Sequence, residues 1–236
     1  MKIPSFPILL ALVSPAAFAG PIAGGHDPAS LKLKIYGVYA STSPQCTNPI
    51  NVFLDGSGGY VDLLRGPTLG GGDLADGTYH CVIIKMSDVI KHTPTVSDGA
   101  CVAGTEYSGE VCRAGGDSGL ATGLSGAPLA CTGDATSVGD DTLFMFMTDD
   151  PGASAGSRAF ELPLAPGDGK GIKLGAPLVI SSTTRAKFVV DASGGVVSGG
   201  GECGINPPKF RFESVIGPRR SRWKGSWNWG QDVDHV

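Results

Sequence analysis

The feature that most constrains this chain is a succession of short β-type segments, interrupted by glycine, proline, aspartate and serine, with almost no helical periodicity. Its 236 residues include 37 glycines, roughly twice the usual share of about 7%. Helices of the length that a parallel sheet needs between its strands are not found. The pattern therefore predicts an all-β protein built as an antiparallel β-sandwich. The charged fraction of 17% excludes a coiled coil and a charge-rich disordered chain.

Several segments alternate so that their apolar residues share one face, as in a strand with one buried side. Leu31, Leu33 and Ile35 form one such set. A second set is formed by Val82, Ile84 and Met86, and a third by Phe210 and Phe212. The run 143–147 is apolar throughout, which predicts a strand covered on both faces.

Residues 1–19 have the pattern of a secretory signal peptide. Lys2 supplies the positive start, Phe6 to Val13 the apolar centre, and Ala17-Phe18-Ala19 a small-residue cleavage site. The sequence therefore predicts a bacterial protein that is secreted, periplasmic or on the cell surface after the signal peptide is removed. No apolar run reaches the roughly 18 residues of a membrane span, so no transmembrane segment is expected.

Six cysteines follow this segment, and an even number in an exported chain predicts disulfide bonds. They are Cys46, Cys81, Cys101, Cys112, Cys131 and Cys203. Six cysteines allow 15 pairings, and the sequence alone does not choose among them. No Cys-x-x-Cys spacing occurs and no histidines pair at metal-ligand spacing, so neither a metal site nor another cofactor is expected.

We expect one folded domain, residues 31–217, between a flexible segment at 20–30 and a basic, tryptophan-rich tail at 218–236. Region 98–141 is rich in Gly, Ser and Thr, holds three cysteines and lacks apolar periodicity. It is predicted to be a long insertion held by disulfides, and loops of this length are usually functional or disordered. Residues 192–204 are predicted to be a second glycine-rich loop.

Three blocks resemble a known architecture: Tyr60-Val61-Asp62-Leu63-Leu64, Leu69-Gly70, and Ala75-Asp76-Gly77-Thr78-Tyr79. They are similar to the pattern that precedes a strand in prealbumin-like sandwich modules of bacterial exported and envelope proteins. Thr184 to Asp191 is similar to a later strand of those modules. The resemblance covers about 60 residues of the chain. It implies a sandwich fold and a cell-envelope setting, and it assigns no catalytic residue.

Gly116-Asp117-Ser118-Gly119 resembles the nucleophile loop of chymotrypsin-like proteases, and His80 lies in a faint match to their histidine loop. Such chemistry needs a serine activated by a histidine that a carboxylate orients, and Asp88, Asp98 and Asp117 are the candidates for that carboxylate. Leu120 stands where a second glycine is expected, and His80 lies inside a predicted strand. We therefore interpret the motif as a surface turn and keep a secreted serine hydrolase using Ser118 and His80 as an alternative.

The three tryptophans, Trp223, Trp227 and Trp229, all lie in the last 14 residues, close to three arginines and a lysine. Tryptophan favours interfaces and sugar-stacking sites, and cations can bind acidic polysaccharide or anionic lipid. The tail is expected to pack on the domain, to remain disordered, or to bind a partner. A carbohydrate-binding module using these tryptophans is therefore a second alternative.

No coherent nucleophile or acid–base set accompanies the β pattern, so the sequence favours a non-enzymatic exported binding or structural module. A component of the cell envelope, a protein or a glycan is the expected partner. Nucleic acid is not expected, because the chain has a formal net charge of −4 and offers no generally basic surface.

Overall fold

The structure is a computed structural model that describes residues 25–54, 58–66, 74–111, 121–129, 141–154, 158–181 and 184–216. Within these residues the chain forms strands and one 3₁₀ turn, Leu63–Arg65, and no α-helix. The predicted all-β class is confirmed. The strands are β1 (Pro28–Ser41), β2 (Ile50–Leu54), β3 (Tyr60–Asp62), β4 (Gly77–Tyr79), β5 (Cys81–Ser87), β6 (Val89–Pro94), β7 (Tyr107–Glu110), β8 (Thr142–Thr148), β9 (Ile172–Lys173), β10 (Leu178–Ile180), β11 (Thr184–Asp191), β12 (Val196–Gly199), β13 (Glu202–Ile205) and β14 (Lys209–Ile216).

Strand β1 is the axis of an eight-stranded main sheet. Its first half pairs with β6 on one side and β3 on the other, and its second half pairs with β5 and β2. Strands β7 and β8 continue the sheet beyond β6 and β5. All these pairs are antiparallel, and β8 with β9 adds one parallel pair at the edge.

The main sheet bends across its middle. The pairing register of β1 with β5 shifts between Ile35 and Gly37. Asp88 lies between the end of β5 and the start of β6, so it interrupts the two strands that pair with β1 along this edge. Irregularities in neighbouring rows let a sheet turn a corner, so the main sheet curves into a half-barrel. The other described sheets have two strands each: β4 with β10, β11 with β14, and β12 with β13. The sandwich part of the prediction is therefore not confirmed.

The concave face of the half-barrel carries the main core. The residues predicted to share inner faces on β1 and β5 are buried there, and Leu143, Met145 and Met147 of β8 join them. The opposite face of β5 and β8 packs a second, smaller cluster around Ile83, Phe146 and the cysteines of one disulfide bond. Strand β8 is thus covered on both faces, as its continuous apolar run predicted.

Three predicted boundaries need correction. Strand β1 begins at Pro28, so residues 28–30 of the segment expected to be flexible are strand, because they pair with β6. Strand β7 lies inside the region predicted as an irregular insertion, where its backbone completes the edge next to β6. Residues 196–205 form a hairpin instead of a loop, and its turn residues Gly200 and Gly201 have φ of 61° and 84°, a region that favours glycine.

The predicted signal peptide (1–19) and the tail (218–236) lie outside the described residues. None of the helical structure that is described is long and apolar enough to cross a membrane.

Candidate functional site

An apolar cavity of about 320 Å³ lies against the concave face of the main sheet. Leu31 and Leu33 of β1 form part of its floor, together with Met86, Ile90 and Met145 from the neighbouring strands. These side chains come from adjacent rows of one sheet, and strand alternation points all of them to the same side. The curvature of the half-barrel places them around a common volume.

The opposite wall of the cavity comes from segments that cross the open side of the half-barrel. Ala159 and Phe160 contribute from the turns after residue 157, and Ile205 to Pro208 contribute from the connection between β13 and β14. Phe210 closes this wall, and its ring stacks on Phe188 of β11 with a centroid distance of 5.5 Å. The stacked pair joins the β11–β14 ribbon to the main core.

Among the described residues that line the cavity, Asn206 is the only one with a polar side chain, and none of them is charged. Asn206 is half-buried, and the neighbouring Pro207 is exposed to solvent. An exposed lining residue marks where the cavity meets solvent, so we place the mouth at Asn206-Pro207-Pro208. The backbone N–H of Asn206 donates to the carbonyl of Gly195. Pro207 and Pro208 have no N–H to offer.

The wall at the mouth is held in place by the β12–β13 hairpin. Its Cys203, three residues before Asn206, forms a disulfide bond with Cys101 in the loop after β6. The hydroxyl of Ser198 accepts a hydrogen bond from the N–H of Ala100 at 2.8 Å. The hairpin also exchanges two backbone hydrogen bonds between Val196 and His26. The disulfide therefore fixes a wall of the cavity as well as the fold.

A buried carboxylic acid lies at the bend of the main sheet. Asp88 is fully buried, and neither of its carboxyl oxygens has a hydrogen-bond partner among the described residues. Its pKa is raised to about 6, mainly by desolvation on burial and in addition by the negative charges of Glu110 and Asp141. The Asp88 N–H donates to the carbonyl of Asp141, and its carbonyl accepts from the N–H of Val111. Because Val111 lines the cavity, the backbone of Asp88 adjoins one of the lining residues.

His92 is a second buried titratable group, next to the Cys101–Cys203 bond. Its ring stacks on Tyr107, and its Nε2 lies 3.7 Å from the Sγ of Cys203. Burial lowers the pKa of His92 below its usual value, which favours the neutral imidazole. Its contacts are with the ring and the disulfide that hold the hairpin, so we assign it a packing role.

The structure gives His80 a carboxylate partner that the sequence analysis did not identify. The Nδ1 of His80 lies 2.7 Å from an Oδ of Asp149, and the two residues also share a backbone hydrogen bond. Both side chains are partly exposed at one end of the main sheet. Of the candidates predicted for this role, Asp98 pairs with His26 instead and Asp88 lies at the bend. Ser118 and Asp117 lie outside the described residues.

The pairing of His80 with Asp149 depends on sheet register. Cys81 at the start of β5 lies opposite Thr148 at the end of β8, which brings the residues just beyond them together. Their separation of 69 positions gives no local signal. Only a correct prediction that β5 and β8 are antiparallel neighbours would have found the pair.

Four of the six cysteines predicted to form disulfides are described, and they form two bonds, Cys46–Cys81 and Cys101–Cys203. Cys112 and Cys131 lie outside the described residues, as do Trp223, Trp227 and Trp229. Within the described part of the chain, no group of three His, Cys, Asp or Glu side chains is placed to hold a metal ion.

Comparison with known proteins returned no match: no family model, no curated protein and no solved structure is similar to this chain.

Proposed function

We propose that this protein is an exported, non-enzymatic binding module of the bacterial cell envelope, and that it holds a small apolar ligand in the cavity of the half-barrel. The observation that carries the proposal is a cavity of about 320 Å³ whose described lining contains a single polar side chain. Small-molecule sites are typically concave, mostly apolar and about 300–1,000 Å³ in volume, with a few placed polar groups.

An apolar cavity of this kind favours a ligand over water. A buried water needs two to four polar partners, and even a smaller engineered cavity of about 150 Å³ with aliphatic and aromatic walls stays dry and binds benzene. The walls formed by Leu31, Leu33, Met145 and Phe210 offer no such partners. A ligand that fills the space gains dispersion contacts that the empty site lacks.

The export part of the proposal is supported by the signal pattern of residues 1–19 and by the two disulfide bonds. Disulfides persist in oxidising compartments such as the periplasm and the cell exterior. The resemblance of residues 60–64 and 75–79 to prealbumin-like modules supports the envelope setting.

Ligand binding is tested with the purified exported chain and N-phenyl-1-naphthylamine, a neutral dye that fluoresces in apolar sites. We expect saturable binding at one site per chain. Ala159→Leu places a larger side chain in the cavity and is expected to weaken binding at least tenfold. Ala75→Leu, the same exchange at an exposed position, is the control and should bind as the unaltered chain does. Absence of saturable binding to the folded chain would overturn the proposal.

The alternative of a secreted serine hydrolase is favoured by one observation, the His80–Asp149 pair. A carboxylate that accepts from Nδ1–H holds the imidazole so that Nε2 can act as a base. The exported chain is assayed on a panel of esters and peptides beside Ser118→Ala and His80→Gln. We expect no hydrolysis above the buffer rate in any of the three. Turnover that is lost in both variants would establish the hydrolase instead.

A further inference from the structure

The volume of the cavity, the position of its polar side chain and the charges around it together indicate one class of ligand. Resting on the proposed function, we infer that the ligand is an uncharged amphiphile: an apolar chain of about ten carbons with one hydrogen-bonding head group, such as a hydroxyl or an amide, held at Asn206.

The length of the apolar part follows from the volume. A methylene group occupies about as much space as a water molecule, whose share of the liquid is about 30 Å³. A cavity of about 320 Å³ therefore accommodates about ten such groups. Each methylene transferred from water to an apolar site is expected to tighten binding about fourfold until the cavity is full.

The position of the head group follows from where the polar atoms lie. Asn206 supplies both a donor and an acceptor through its carboxamide, and it lies where the cavity meets solvent. The other side chains of the described lining are apolar. A head group placed deeper than Asn206 would lose its hydrogen bonds to water without replacement, so the amphiphile enters with its chain first.

The absence of charge on the head group follows from the surroundings of the cavity. Among the described residues that line it there is no lysine or arginine, so an anionic head would leave water without gaining a cationic partner from them. The acid Asp88 adjoins the lining through the hydrogen bond that its carbonyl accepts from the N–H of Val111, and Glu110 and Asp141 lie close enough to raise its pKa, so this side of the cavity does not favour an anion. A cationic head would face no carboxylate among the described lining residues, and the side chain of Asp88 is fully buried and does not line the cavity.

The length limit is tested by calorimetry with straight-chain primary alcohols of six to fourteen carbons and the exported chain. We expect affinity to rise about fifteenfold for each two carbons up to about ten, and then to stop rising. Binding that continues to strengthen at fourteen carbons would overturn the assigned size.

The head-group assignment is tested by comparing 1-decanol, decane, decanoate and decylammonium on the unaltered chain and on Asn206→Leu. We expect decanol to bind about tenfold more tightly than decane or either ion, and Asn206→Leu to remove that advantage while binding decane unchanged. Equal binding of all four ligands to both proteins would overturn the head-group inference and leave the proposed function intact. Failure of every ligand to bind would overturn both.

Discussion

The two faces of the main sheet differ in how completely the side chains on them are packed. On the convex face, Ile83 and Phe146 pack with Leu162 and the Cys46–Cys81 bond, and all of them are buried. The concave face carries the main core, and a cavity lies between part of the sheet and the segments that cross the half-barrel. The difference is that only the concave face borders this cavity, whereas the small cluster on the convex face is packed from buried side chains. The concave face, which borders the cavity, is therefore the face available to a ligand.

The largest expected effect is a difference in unfolding free energy between one substitution on the convex face and one on the concave face. Phe146→Ala removes a fully buried ring from the packed face and is expected to cost about 3–5 kcal/mol of unfolding free energy. Phe160→Ala, on the wall of the cavity, should cost less than half of that, because the ring is only partly buried and borders existing empty space. Urea unfolding followed by circular dichroism measures both. Equal losses would mean that the concave face is as tightly packed as the convex one.

The two disulfide bonds lie on different faces of the main sheet, so removing each one in turn tests the same comparison between the faces. Replacing both cysteines of either bond by alanine is expected to cost about 2–4 kcal/mol, chiefly by freeing the unfolded chain. Only Cys101→Ala with Cys203→Ala should also weaken binding of the neutral dye, because that bond holds the hairpin before Asn206. The variant lacking Cys46–Cys81 serves as the control for stability loss alone. Dye titration at a temperature where both variants remain folded measures the effect, and similar weakening in both would contradict the assigned role.

The smallest effect concerns Asp88, at the bend between the two halves of the sheet. Its pKa is about 6 in the folded chain and lies near 3.8 without the fold, so folding favours the protonated acid. The penalty is absent below about pH 4, grows as the pH rises toward 6, and is fully present above 6. Asp88→Asn keeps the shape and removes the charge, so it should raise stability by about 1–3 kcal/mol at pH 7.5 and change little at pH 4.

The matched control for Asp88→Asn is Glu202→Gln, which removes a charge from an exposed position in the β12–β13 hairpin. We expect its stability to follow that of the unaltered chain at both pH values, as surface charges contribute little. Thermal unfolding at pH 4.0 and 7.5 compares the three proteins. A gain from Asp88→Asn that is the same at both pH values would show that burial of the charge is not its cause.

The spacing of apolar residues along the chain correctly predicted which side chains of the central strands are buried. Leu31, Leu33 and Ile35 of β1 are buried as their period-two spacing indicates, and β8 is covered on both faces as its continuous apolar run indicates. The β12–β13 hairpin was missed although Gly200-Gly201 is a known turn signal, because its flanking residues are too weakly apolar to read as strands. Residues 158–161 form turns around the Arg158–Glu161 ion pair, an arrangement that no apolar alternation indicates.

What the sequence by itself determined is the all-β class, the inner faces of the central strands and the expectation of disulfide bonds, since each is encoded within a few neighbouring residues or in residue type. Only the tertiary structure decided that the sheet bends at Asp88, that Cys101 bonds Cys203, that His80 meets Asp149 and that a cavity forms with Asn206 at its mouth. These features join residues far apart in the chain. They depend on register and curvature, which arise from the packing of the whole sheet and leave no local trace in the sequence.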